Sequence, residues 1–289
     1  IITVVYENHP AKGKLIIHKS GETLKSFKKD FIYEETSLSG AEFAVYAAED
    51  IYTPDHQVDE AGNRTVIYPK DTLIQKVTTD EKGEAILNDL PLGTYRVVET
   101  KAPTGFVINS DSQELTFLYK DQNTPVVEET VEFSNKRQKV ELKVVKEDAE
   151  TGIKLEGAEF GIYNNNDIYS GDKVIVKADT LLQKVKSDKN GLAQITLDLP
   201  LGKYYVKELQ APDGYVSSDE ILEFDASYQG QDVKVIKLKA TKKNQPTTVE
   251  ITKADVTTGV ELDGASLIIL NKKGEVVDSW TSVKDKPHV

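Results

Sequence analysis

The chain repeats itself, and that repeat limits its possible folds more than any other feature. Leu90-Pro91-Leu92-Gly93-Thr94-Tyr95 returns as Leu199-Pro200-Leu201-Gly202-Lys203-Tyr204. Ala102-Pro103-Thr104-Gly105-Phe106 returns as Ala211-Pro212-Asp213-Gly214-Tyr215, and Gly40-Ala41-Glu42-Phe43 as Gly157-Ala158-Glu159-Phe160. The order is the same in both copies, which is the mark of tandem folding units. The repeat predicts complete units over 13–137 and 138–246, with a truncated third unit over 247–289. Residues 1–12 read as the last strand of a preceding copy and its linker, so the chain is expected to be a fragment. Two spacings differ between the copies. Lys19 and Gly40 stand farther apart than Lys146 and Gly157, and Phe43 and Asp71 farther apart than Phe160 and Asp179. Such insertions are expected in surface loops between fixed strands.

Within each unit the pattern is β. Leu15, Ile17 and Lys19 share one face of a strand, with Ile16 and His18 on the other. Tyr95, Val97 and Glu99 share a face, as do Tyr204, Val206 and Glu208. Asp80-Glu81-Lys82-Gly83 and Asp188-Lys189-Asn190-Gly191 are turn sequences. There is no long amphipathic helix pattern. Many short strands in units of about a hundred residues indicate a β-sandwich.

Composition removes several functions. The net charge of −12 leaves no basic footprint for nucleic acid. The absence of cysteine excludes disulfides, thiolate nucleophiles and Cys-type zinc sites. No apolar run is long enough to cross a membrane, so no membrane insertion is expected in this stretch. His9, His18, His56 and His288 are scattered without a metal-ligand pair, and Asp55, Asp59, Glu60 and Asn63 lack the spacing of a calcium loop. Trp280 is expected to pack in the core of the third unit. No nucleophile elbow, phosphate-binding loop or metalloprotease motif occurs. The reading is therefore of a chain without cofactor, without metal and without enzymatic turnover.

One oddity recurs. A strand that should be buried ends its inward face with Lys19, Lys146 or Lys253; another carries Glu99 or Glu208 inward; and the closing strand of each unit holds Asn8, Asn135 or Asn244. Buried charges are costly unless paired or neutralised. The pattern Lys-x-Asp-x-x-Thr-Gly, Gly-Ala-x-Phe, Leu-Pro-x-Gly-x-Tyr-x-x-x-Glu-x-x-Ala-Pro-x-Gly-Tyr and a closing Asn resembles the collagen-adhesin B-type domain. This is the prealbumin-like repeat of Gram-positive adhesins and SpaA-type pilins.

The resemblance implies an all-β chain of tandem prealbumin-like (reverse immunoglobulin-like) sandwiches arranged end to end. It also implies self-made isopeptide bonds, with Lys19, Asn135 and proton-shuttling Glu99 in unit one and Lys146, Asn244 and Glu208 in unit two. Asn8 and Lys253 would belong to the truncated units. Lys242 breaks the inward pattern just before Asn244. Tyr68-Pro69-Lys70-Asp71 resembles the lysine motif by which sortases join some pilins, but Asp71 stands where that motif has Asn, and a repeat loop is the preferred reading. The function implied is a stalk of an extracellular, cell-wall-anchored Gram-positive adhesin or pilus-like protein, with other repeats of the same chain as partners. The alternative is a binding module for a host matrix protein or glycan, with the 51–70 insertion as the surface to test.

Overall fold

The computed structural model describes residues 9–289. All named elements are strands. Unit one contains β1 (Lys12–Phe27), β2 (Phe31–Ser37), β3 (Glu42–Ala47), β4 (Ile51–Tyr52), β5 (Val66–Tyr68), β6 (Leu73–Thr78), β7 (Glu84–Leu90), β8 (Gly93–Lys101), β9 (Gln113–Phe117) and β10 (Val126–Asn135). Unit two contains β11 (Lys139–Asp148), β12 (Glu159–Asn164), β13 (Ile168–Ser170), β14 (Lys173–Val176), β15 (Leu181–Lys186), β16 (Leu192–Gln194), β17 (Gly202–Gln210), β18 (Leu222–Ala226) and β19 (Val235–Asn244). The third unit contributes β20 (Ser266–Leu270) and β21 (Val276–Thr281).

Each complete unit is a sandwich of two sheets. In unit one β1 pairs with β10, β2 and β7, and the facing sheet runs β6-β3-β8-β9. In unit two the sheets are β16-β11-β19 and β15-β12-β17-β18. First and last strands lie side by side and parallel: β1 on β10, and β11 on β19. Alternation does the sorting. Leu15, Ile17 and Lys19 point inward from β1 as period-2 geometry demands, and Tyr95, Val97 and Glu99 do so from β8. Leu15, Ile17, Phe43, Val45, Tyr95, Val97, Phe117 and Phe133 form the core of unit one.

The insertion after Lys19 is not the surface loop its sequence suggested. β1 runs on to Phe27 and returns antiparallel as β2, making a hairpin arm. The two units differ at one position for a local reason. In unit two the Asp148 carboxylate accepts the N–H groups of Glu150 and Thr151 at 2.8 and 2.7 Å, and this turn ends β11. Unit one has Gly21 at that register position, opposite Asn135 as Asp148 is opposite Asn244, and no side chain there stops the strand. The arm reaches unit two. Phe31, 5% exposed, lies in the core that holds Leu142, Phe160, Leu199 and Tyr204, and Leu24, Phe27 and Tyr33 pack against the same core. Full burial of a Phe side chain stabilises by about 2 kcal/mol, so the arm is part of unit two energetically.

The second insertion does stay at the surface. It forms the two-stranded β4–β5 ribbon, with Val58, Val66 and Ile67 exposed. The third unit consists of the β20–β21 hairpin and its flanking turns. Trp280 does not enter a core there. It is half-buried and stacked on His288, with centroids 4.0 Å apart, because β20 and β21 form a two-stranded sheet that no second sheet covers among the described residues.

Candidate functional site

In unit one the structure brings together the three residues picked out in the sequence. Lys19 comes from β1, Glu99 from β8 on the facing sheet, and Asn135 from the end of β10. All three are at most 2% exposed. Lys19 Nζ lies 2.5 Å from Asn135 Oδ1 and 3.4 Å from Glu99 Oε1. That same Glu99 oxygen accepts Asn135 Nδ2–H at 2.8 Å, while Oε2 accepts the Asn109 main-chain N–H at 2.9 Å. One carboxylate oxygen therefore touches both the amine and the amide nitrogen. Burial lowers the Lys19 pKa from its ordinary value, against the pull of Glu99.

Gly83 fixes where Lys19 sits. Its carbonyl accepts the Lys19 N–H at 2.8 Å, its φ is +74°, and a Cβ there would come within 2.5 Å of the Lys19 carbonyl oxygen. Gly191 holds Lys146 in the same way, with φ +70° and the same 2.5 Å approach. Only glycine takes that turn at that distance.

Unit two assembles the matching set more loosely. Asn244 Nδ2 donates to Glu208 Oε2 at 2.7 Å, and the Ser218 N–H donates to the same oxygen at 3.2 Å. Lys146 Nζ stands 3.8 Å from Glu208 Oε1 and donates to the main-chain carbonyls of Glu147 and Lys242, each at 3.4 Å. Asn244 Oδ1 and Glu208 Oε1 are buried without a hydrogen-bond partner. Burial lowers the Lys146 pKa; Glu208 opposes this and Lys242 adds to it.

Among the described residues, the third unit gives no comparable cluster. Lys253 is exposed, and Asn8 lies outside the described residues. Sequence reasoning missed the amide donors Asn109 and Ser218. Each follows the Ala-Pro-x-Gly turn that folds the chain back over its glutamate, so the turn was visible but its hydrogen bond was not. No group of three or more metal-ligating side chains occurs among the described residues, and no helix there is long and apolar enough to cross a membrane.

The model of the SpaA prealbumin-like fold domain matches residues 23–132 and 140–242. The chain belongs to that family. The structure of the Bacillus anthracis TIE protein is similar over 96% of this chain and 42% of that one, at 29% identity and a TM-score of 0.61. The chain thus spans less than half the length of that relative. The shaft pilin SpaA of Lactobacillus rhamnosus GG aligns over 83% of this chain and 99% of its own, at 19% identity and a TM-score of 0.31. GBS52, the minor pilin of Streptococcus agalactiae, aligns over 84% and 100%, at 17% identity and a TM-score of 0.31. No curated protein matches the chain. Two tandem domains of the SpaA prealbumin-like family, built only of strands, agree with the all-β sandwich expected from the repeat.

Proposed function

We propose that this chain is a stalk segment of a Gram-positive surface protein or pilus, anchored outside the cell. Its complete units would be tied by Lys19–Asn135 and Lys146–Asn244 amide bonds. The observation that carries the reading is the buried triad of unit one, in which Glu99 Oε1 spans Lys19 Nζ and Asn135 Nδ2. The chemistry balances within the protein. As a neutral amine, Lys19 attacks Asn135 Cγ with its Nζ lone pair and gives one Nζ proton to Glu99. Glu99 returns the proton to Nδ2, the Cγ–Nδ2 bond breaks, and ammonia leaves. Packing supplies the high effective concentration. The event happens once per unit, so the chain is not an enzyme.

The product joins neighbouring parallel strands at opposite ends of the unit's sequence. A pull on the termini then passes from β10 to β1 through a covalent bond and leaves the sandwich unloaded. Single-molecule pulling of the full chain tests this. Units that lengthen only when Lys19 or Lys146 is substituted support the stalk; units that lengthen fully without substitution contradict it.

A second reading, an adhesive module, has one observation in its favour. Leu118 and Tyr119, 68% and 62% exposed, line a groove with Tyr52 and Ile67 of the β4–β5 ribbon. Binding to an array of matrix proteins and glycans, lost on Tyr119→Ser, would favour it.

A further inference from the structure

Counted back from the closing Asn, Phe133 of unit one becomes Lys242 in unit two. Phe133 packs against Phe43, with ring centroids 4.9 Å apart. Lys242 is just as buried, at 1% exposure, and stands opposite Lys146 in the β11–β19 pairing. An ammonium is a poorer filling for a core than a ring unless every N–H is used. Here they are: Nζ donates to Ser218 Oγ at 2.9 Å, to the Glu220 carbonyl at 2.7 Å and to the Glu220 carboxylate at 3.0 Å. The Ser218 N–H in turn holds Glu208 Oε2, which holds the Asn244 amide. A continuous chain of contacts therefore runs from Lys242 to the bond that would be broken.

We propose that Lys242 is a positioning residue for the unit-two crosslink: its ammonium clamps the 218–220 segment that orients Glu208 and sets a second positive charge beside the attacking Lys146. The inference rests on the self-crosslinking reading given above. Attack requires a neutral amine, and a neighbouring cation disfavours the charged form. Lys146 faces Glu208 from β17, Lys242 (itself paired with the Glu220 carboxylate) from β19 and Asp148 from its own strand, while β16 sets the uncharged Ala193 and Leu192 against the neighbouring Val144 and Val145. Burial and Lys242 act together against the two carboxylates. Help falls where it counts, because Lys146 makes no hydrogen bond to Asn244, unlike Lys19 with Asn135. In the step itself Lys242 gains and loses nothing: the neutral Lys146 amine forms the Nζ–Cγ bond to Asn244 and passes one proton to Glu208, Glu208 hands that proton to Nδ2, the Cγ–Nδ2 bond breaks, and ammonia leaves.

The test uses the full chain, recovered unfolded and refolded from neutral to mildly alkaline pH. The crosslinked peptide of each unit is followed by mass after digestion, with unit one as the internal clock. Lys242→Met should slow unit two about tenfold at neutral pH and move the rise of its rate to higher pH. Lys242→Arg should keep the wild-type pH profile. Lys242→Phe restores the ring used in unit one, so the core stays filled, and it should show the same upward shift as Lys242→Met. Wild-type rate and profile in both uncharged variants would overturn the inference alone. A wild-type chain that forms no unit-two crosslink at any pH would overturn the self-crosslinking reading for that unit, and this inference with it.

Discussion

Tyr33 of unit one donates its hydroxyl to the Asp198 carbonyl of unit two at 2.8 Å. The Arg137 guanidinium lies 3.6 Å over the Tyr33 ring and pairs with the Asp198 carboxylate, to which Lys139 adds a bond at 2.9 Å. Burial acts to raise the Asp198 pKa, but the two cations hold it lowered overall. The junction is thus an aromatic arm seated under a cation, with Phe31 in the neighbouring core.

Phe31→Ala should therefore weaken unit two although the residue belongs to unit one. Removing a buried Phe side chain costs roughly 3–5 kcal/mol. Hydrogen exchange on the full chain locates the loss: faster exchange in β11, β12 and β17 is expected. Faster exchange confined to β1 and β2 would mean the arm is decoration.

Glu99→Ala should leave the sandwich folded and block the unit-one bond. Lost loop closure over about 100 residues would lower stability by about 4–5 kcal/mol on the chain-entropy account borrowed from disulfides. Lys19 would also be left buried without its carboxylate. Adding Lys19→Met should recover part of the loss without restoring the crosslink. Thermal unfolding of the single and double variants separates the two effects; a double variant no more stable than the single would remove the buried-charge component.

Asp148 ties the end of β11 to Thr151 and to the Tyr215 hydroxyl, and these bonds pull its pKa down to about 2 from an ordinary 3.8. A carboxyl lowered on folding stabilises the protein above its unfolded pKa and loses that contribution as pH falls through the folded value. Unit two should hold steady from neutral pH to about 4 and weaken as pH falls toward 2. Asp148→Asn should flatten that acid limb. An unchanged limb in the variant would show that other carboxylates set it.

Much of this was legible in the sequence. The inward faces of β1 and β8 follow from strict alternation, which alone turns Lys19 and Glu99 toward the interior. The closing asparagines came from the repeat order. The arm was not legible as an arm. Leu24, Phe27, Phe31 and Tyr33 have their apolar partners in another unit, and a pattern read one unit at a time sees only an insertion. The signal that was present is Gly21 at the position where Asp148 turns the chain in unit two. Lys242 was visible as a break in the pattern, but its meaning depends on Ser218 and Glu220, which reach it through the fold and not through sequence spacing.

Buried lysines and asparagines are proposed to join in both complete units. The intact mass of the purified chain tests this most directly. The account predicts a chain lighter by two ammonia molecules, one for each complete unit, with Glu99→Ala and Glu208→Ala each restoring one after correction for the substitution. A chain with the full mass of its sequence would contradict the account, leaving two sandwiches whose buried lysines are ordinary ion pairs.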